Sequence, residues 1–411
     1  MQSINMVKAF TYIGHYRYSI VCECQDLRAD QFYRAVTLEP KEGAVASKRA
    51  TLADVARLAG TSPTTASLIL NGKPDTRFSA DAHRRVHDAV AQLGYRPNMG
   101  ARALRTDRSL TIGFISDVVA TTRFASGLIR GALEEAEKAG HVMLVLETGG
   151  DPARQEEAVG AVLDRQVDGI VFATMRAREL VMPSIPESTR VVMLNATSPQ
   201  FGLSVLPDEE SGGRSAVDLL AAAGHTDGIA LIGQNDEVED DLFRSATVAR
   251  RVHGLRSEVK ALGLSLLTEE SCWEWEPENG YRLTAELLDR RHDVTSLLCM
   301  NDRLAFGAYQ ACQERGLTVG RDISIVSFDN DELAAYLRPG LTTIGLPHEA
   351  MGHQAVQLLL SEAAPGERLI EMPVVERNSI AVVDTESATA LLARERLDAR
   401  RKHARDTIPA P

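Results

Sequence analysis

The chain has 411 residues, of which 44% are hydrophobic, 25% charged and only 5% aromatic, which is too long for one core and sets two or three domains as the starting expectation. No apolar run approaches the ~18 residues of a membrane span, no apolar h-region follows the first charges as in a secretory signal, and the five cysteines, Cys22, Cys24, Cys272, Cys299 and Cys312, have neither disulfide-framework nor zinc-site spacing. The net charge of −12 is divided: residues 47–108 hold eleven Lys/Arg against five Asp/Glu, a net of +6, leaving −18 for the remainder, the layout of an acidic body whose compact head meets phosphate.

Residues 1–46 show no sustained period, carry five basic and five acidic residues, and contain half of the eight tyrosines, Tyr12, Tyr16, Tyr18 and Tyr33. Residues 1–48 therefore read as a poorly ordered extension, or as sequence upstream of the true start. From Thr51 to Ala59 the apolar residues Leu52, Val55, Ala56 and Ala59 share one face at helical spacing. Thr51 is placed to cap that helix, and Asp54 sits where the macrodipole favours a carboxylate. Gly60 and Thr61 break it. Ser62 caps a second helix that opens on Pro63, whose missing N–H costs nothing at the first helical position, and runs to about Leu70. Ser79 caps a third, Ala80 to Leu93, closed by Gly94. Ala56 and Gly60, with Ala66 and Ile69 opposite, provide the small and apolar contacts that set the angle of a helix-turn-helix.

After a short basic segment ending at Arg108, apolar strands alternate with amphipathic helices. Strands are predicted at Thr111–Ile115, Val142–Leu146, Gly169–Ala173, Val191–Leu194, Ile229–Ile232, Ser296–Met300, Ile323–Phe328 and Leu341–Ile344, with helices such as Leu128–Ala139 and Glu156–Arg165 between them. This alternation builds parallel sheets covered on both faces, and there are too many strands for one sheet. The expected fold is an all-α helix-turn-helix head plus an α/β body of two lobes. The segment after Asp384, including LLARERLDARRKHAR, reads as a helical basic tail with too few apolar positions for a coiled coil.

The run TLADVARLAGTSPTTASLILNG, the GYRPN that follows the third helix, and the phrases VDGIVF, LAAAGHTDGIALIG, NDRLAFGA, ISIVSFDND and LTTI together closely resemble the lactose-repressor and purine-repressor (LacI) family of bacterial transcriptional regulators, from about Thr51 to about Ala381. The resemblance implies a DNA-binding domain at 49–96, a hinge helix and linker at 97–108, a two-lobed effector-binding and dimerisation domain resembling periplasmic sugar-binding proteins at 109–383, and a tail at 384–411. It implies a homodimer on near-palindromic operator DNA, acting in the cytoplasm at the nucleoid, with neither cofactor nor metal.

Carried onto this chain, the resemblance makes Ser62 to Leu70 the recognition helix. Pro63, Thr64 and Leu68 would face base edges, with Ser62, Thr65 and Ser67 nearer to phosphate, and Thr51 and Asn71 would also touch the DNA. Leu68 and Pro63 offer no side-chain hydrogen bond to a base, so more of the readout falls to DNA shape. Pro97 to Arg105 would be the hinge helix. It is far shorter than the ~12 residues at which isolated helices become marginal, and Gly100 weakens it by roughly 1 kcal/mol relative to alanine. Leu104 would insert between base steps as a wedge, with Arg102 and Arg105 near the backbone. Ligand contacts are expected from Phe124, Asn195, Arg251, Trp275, Asn301, Asp302 and Asp329. Their donors, carboxylates and indole suit a sugar or sugar derivative, with a purine-like effector as the alternative. The segment VVATTRFASG after Asp117 departs from the family's usual Asn-Pro-Phe-Phe pattern while keeping Phe124.

An enzyme is not expected, because GxGxxG, GxxxxGK[ST] and GxSxG are all missing. A cytoplasmic sugar-binding protein with no regulatory DNA role is the stronger rival, which the basic head opposes.

Overall fold

The computed structural model describes residues 9–13, 16–20, 50–70, 78–96, 108–123, 125–235 and 245–407, and the chain divides into two compact units, Met1–Pro97 and Asn98–Pro411.

In the first unit, β1 (Ala9–Ile13) and β2 (Tyr16–Ile20) pair antiparallel. The poorly ordered extension expected over 1–48 thus contains a hairpin. Its strands are rich in the aromatic and β-branched residues that suit a pleated surface, Phe10, Thr11, Tyr12 and Ile13 opposite Tyr16, Tyr18 and Ile20. The head helices follow the predicted bounds: α1 (Leu52–Leu58), α2 (Pro63–Leu70) and α3 (Ala80–Leu93). Thr51 and Asp54 form a reciprocal capping box at α1. Gly94 closes α3 in the left-handed region at φ 57°. Gly60, at φ +61° with nothing near its missing Cβ, is required by backbone angle and not by space. Val55, Ala56, Ala59, Ala66, Ile69, Val86 and Ala89 form the core of this three-helix unit.

The second unit is two lobes, each built on a six-stranded sheet. The N-lobe holds β3 (Thr111–Ser116), α4 (Ser126–Lys138), β4 (Val142–Glu147), α5 (Pro152–Leu163), β5 (Gly169–Glu179), β6 (Val191–Thr197) and β7 (Leu203–Pro207). The C-lobe holds α6 (Glu209–Ala222), β8 (Ile229–Gln234), α7 (Val248–Ala261), β9 (Leu266–Ser271), α8 (Pro277–Arg290), β10 (Ser296–Cys299), α9 (Asp302–Glu314), β11 (Ser324–Asp329) and β12 (Thr342–Gly345). The chain then returns to the N-lobe as α10 (His348–Leu360) and β13 (Gly366–Ile370), and again to the C-lobe as β14 (Val374–Val375) and α11 (Ala388–Thr407).

Strand order is β13-β7-β6-β5-β3-β4 in one lobe and β14-β12-β11-β10-β8-β9 in the other, parallel throughout except β12 with β14. The predicted strands match within a few residues. Four others were missed: β7, β9, β13 and β14. Helix α5 begins at Pro152, not Glu156, because Asp151 caps it by accepting from Ala153 and Arg154 N–H.

The segment after Asp384 is no free tail. Along α11, Ala390, Ala393 and Leu397 are buried, and the latter two join the C-lobe core. Its arginines reach inward: Arg400 pairs with Asp218 on α6 and with Glu258 on α7, and Arg396 pairs with Glu258. A short apolar stripe that cannot sustain a coiled coil suffices to seat a helix on its own body.

Helices α6 and α7 cross with their backbones nearly touching. A Cβ at Gly213 would lie 2.2 Å from the Arg251 carbonyl oxygen, and one at Gly254 would lie 2.1 Å from that of Glu210. Only glycine permits this approach, and it fixes the first turn of α6 against Arg251.

Candidate nucleic-acid interface and ligand cleft

On the head, Pro63 and Thr64 are exposed at the start of α2, where backbone N–H groups and the helix dipole face outward. The Ser62 hydroxyl accepts from Thr65 N–H at 3.0 Å, and the two hydroxyls lie 2.9 Å apart. Leu68 is half-buried but does not belong to the apolar cluster at the centre of the head. The Thr51 hydroxyl donates to Asp54 at 2.7 Å, so part of its capacity goes to the cap. Those bonds, followed by Arg57, hold the Asp54 carboxyl down at about 2. Asn71, Arg102, Leu104, Arg105 and Phe124 lie outside the described residues.

In the body, two cavities sit at the carboxyl ends of parallel strands, where ligands of open α/β sheets are held. One, about 230 Å³, opens on the N-lobe between the ends of β3 and β5; its wall includes Asp117, Thr148, Gln155, Thr174 and Arg178. Asp117 accepts from Met175 N–H at 3.0 Å and pairs with Arg178 at 3.1 Å. The other, about 180 Å³, lies between the lobes, with Arg123 on one side, Asp329, Asp331 and Glu332 on the other, and Leu346 and His348 from the crossing segment. The divergent loop after Asp117 is pinned by Glu147, whose carboxylate accepts from Ala120 N–H at 2.6 Å and Thr121 N–H at 3.1 Å.

The ligand residues expected from sequence fall into two groups. Asp329 ends β11 beside the second cavity at φ 108°, followed by Asn330 at φ 56°. Two successive non-glycine residues in the left-handed region are backbone strain of the kind kept at functional sites. Among the described residues no hydrogen bond reaches the Asp329 carboxylate. Burial pushes its carboxyl well above the usual range, against the pull of the Arg251 guanidinium, and the Asp302 and Glu209 carboxylates add to the rise. Trp275 is half-buried, donates to the Gly233 carbonyl at 2.7 Å, and has the Arg251 guanidinium 5.7 Å from its ring.

The others make hydrogen bonds inside the protein. Asn195, at φ 52°, donates to the Thr174 and Met175 carbonyls at 2.9 and 3.1 Å. Asn301 caps α9 by accepting from Leu304 N–H at 2.9 Å, and its amide donates to the Trp275 carbonyl. Arg251 is 3% exposed and forks onto Glu209, Nε to Oε2 at 2.7 Å and Nη2 to Oε1 at 2.8 Å, with Nη1 donating to the Met300 carbonyl. Asp302 is fully buried and accepts from Ser327, from Thr343 at 2.8 Å and from Asp331 N–H at 2.6 Å, tying the ends of β11 and β12 together. Glu209, Asp117 and Asp331 were missed by sequence reasoning. Their signal was position alone: each stands at a strand end or helix start.

Burial raises the Asp302 carboxyl to about 6. A carboxyl whose folded value lies above its unfolded one holds its proton longer in the folded state, so its contribution is most favourable below about pH 4 and falls as pH rises to about 6. Unfolding free energy measured from pH 4 to 7 should show wild type losing roughly 2–3 kcal/mol relative to Asp302→Asn across that window. A parallel pair of curves would remove Asp302 as the titrating strut.

The family described as "Bacterial regulatory proteins, lacI family" matches residues 51–98, and "Periplasmic binding protein-like domain" matches residues 217–380. The HTH-type transcriptional repressor PurR of Aliivibrio salmonicida (strain LFI1238) is 32% identical over 345 residues, covering 80% of this chain and 99% of the relative. PurR of Vibrio cholerae serotype O1 (strain M66-2) is 30% identical over 80% of this chain and 98% of its own. Among solved structures, the lac repressor dimer bound to operator and the anti-inducer ONPF aligns with a TM-score of 0.63 at 26% identity, over 81% of this chain and all of that one. A regulator from Enterococcus faecium with bound ribose aligns at 0.51 and 26% identity, over 67% of this chain and all of that one.

Proposed function

The chain belongs to the lacI family of bacterial regulatory proteins, and from that premise we propose that it is a transcriptional repressor whose grip on operator DNA is set by a small neutral effector, a sugar or sugar derivative, held between the lobes of its body. The observation that carries the reading is the pairing in one chain of a capped, basic helix-turn-helix unit with an inter-lobe cavity ending on the strained Asp329 carboxylate. A carboxylate that no described donor reaches is suited to accept from adjacent hydroxyls, and Trp275, half-buried in the same lobe with the Arg251 guanidinium 5.7 Å from its ring, is the aromatic side chain that this reading assigns to the ligand. The PurR relatives favour a purine as the second reading, which the same indole would accommodate by stacking.

Two copies place two heads on a near-palindrome. Pro63, Thr64 and Leu68 read bases, and Thr51, Ser62, Thr65, Ser67 and Asn71 with Arg102 and Arg105 meet phosphate. Leu104 enters the minor groove. Ligand binding that favours one lobe arrangement shifts the population competent for DNA.

Anisotropy of a labelled duplex from upstream of its own coding region, titrated with the full chain at fixed salt, tests this. Tight salt-dependent binding that moves at least severalfold with one of a panel of pentoses, hexoses or purine bases is expected. Binding no tighter than to a scrambled duplex would refute the repressor reading, and a response to a purine base alone would select the second effector class.

A further inference from the structure

The Arg251 guanidinium is buried in the wall that carries Asp329, yet its donors are already engaged. Glu209, itself only 3% exposed, meets it in a two-pronged ion pair, the Met300 carbonyl takes another N–H, and the Phe328 ring lies 4.2 Å beneath it. This pairing is not a surface rotamer. Glu209 stands in the first turn of α6, Arg251 in α7, and the glycine contacts at Gly213 and Gly254 hold those two turns backbone to backbone. The side chains therefore meet with little freedom to separate, and separating them would leave two buried charges uncompensated, which is strongly unfavourable.

The consequence is electrostatic. With Arg251 and Glu209 cancelling, the C-lobe side of the cavity presents Asp329, Asp331 and Glu332, faced across it by Arg123 and His348. A carboxylate or phosphate entering here meets the Asp331 and Glu332 side chains, and such like-charge contacts are costly. A hydroxyl or amide meets acceptors.

We propose that Glu209 is a specificity-determining residue, a built-in counter-ion that occupies Arg251 and restricts the cleft to uncharged, hydrogen-bond-donating ligands while excluding anionic ones such as sugar phosphates. This rests on the reading of the inter-lobe cleft as the effector site.

The test is equilibrium dialysis of radiolabelled inorganic phosphate against the full chain at constant ionic strength, comparing wild type, Glu209→Gln and the uncharged pair Glu209→Gln/Arg251→Met. All three share the same head, so phosphate held by the head cancels. Glu209→Gln should bind a further equivalent of phosphate per chain that wild type and the double variant lack. Equal binding by wild type and Glu209→Gln overturns the proposal, whether both bind or neither does. If Glu209→Gln does not fold, wild type is compared with the double variant: equal binding supports the proposal, and an excess in wild type overturns it. Operator affinity measured with neutral sugars in the same wild-type samples separates the two claims. An operator that ignores those sugars would count against the effector reading, while the phosphate comparison alone decides the role of Glu209.

Discussion

Arg400→Ala should lower the unfolding free energy of the body by about 3–5 kcal/mol, the cost of stripping the partner from a buried charge. Asp218 is 0% exposed on α6, its Oδ2 pairs with Arg400, and its Oδ1 has no partner among the described residues. Glu258, 2% exposed, would keep Arg396, so Asp218 carries the loss. The arginine itself is 21% exposed, so the lower end of the range is the better guide if water enters the gap it leaves. Replacing both partners by apolar residues of similar size, Asp218→Leu with Arg400→Met, should recover most of the loss, since no charge is then left stranded. Urea unfolding followed through tryptophan emission checks both variants. A single variant as stable as wild type would mean that α11 is a passive appendage.

Leu104→Ala should weaken specific operator binding by on the order of ten- to a hundredfold, about 1.4–2.8 kcal/mol, while leaving the fold and the affinity for random duplex untouched. On the proposed reading, the helix Pro63–Leu70 is poor in direct readout, because Pro63 and Leu68 can donate nothing to a base edge. Specificity then rests more on the sequence-dependent cost of kinking the duplex, and an apolar wedge is what makes a kink favourable. The substitution removes no positive charge, so the slope of log affinity against log salt should stay the same. Anisotropy titrations at several salt concentrations separate the two effects. Loss of operator and random-duplex binding together would point to a damaged head.

The head was legible almost residue by residue, because its cues are local: Thr51, Ser62, Ser79 and Gly94 act on N–H and C=O groups within a turn of themselves. Most central strands were legible for the same reason, as buried apolar runs, β7 (LSVLP) being a buried exception. Of the other missed strands, β9 reads LLTEES and β13 reads GERLI, half-exposed edge sequences whose strand character comes from a neighbour distant in the chain. The hairpin in the first segment was hidden by mixed charge around it. At the cleft, positions could be named but not their environments. The phrase ARRVHG singles out Arg251, yet nothing local to it announces Glu209, forty-two residues earlier. Nor does anything local to Asp302 announce the three donors from Ser327, Asp331 and Thr343 that its carboxylate accepts.

One free energy links the cleft to the operator. Whatever factor a ligand imposes on operator affinity, the operator must impose the same factor on ligand affinity. Calorimetric titration of the most effective sugar or purine base into the full chain, alone and saturated with operator duplex, measures that factor from the ligand side. The prediction is a change of roughly 5- to 150-fold, equal to the change in operator affinity found by anisotropy. Identical ligand affinities with and without duplex would show that cleft and operator are not coupled.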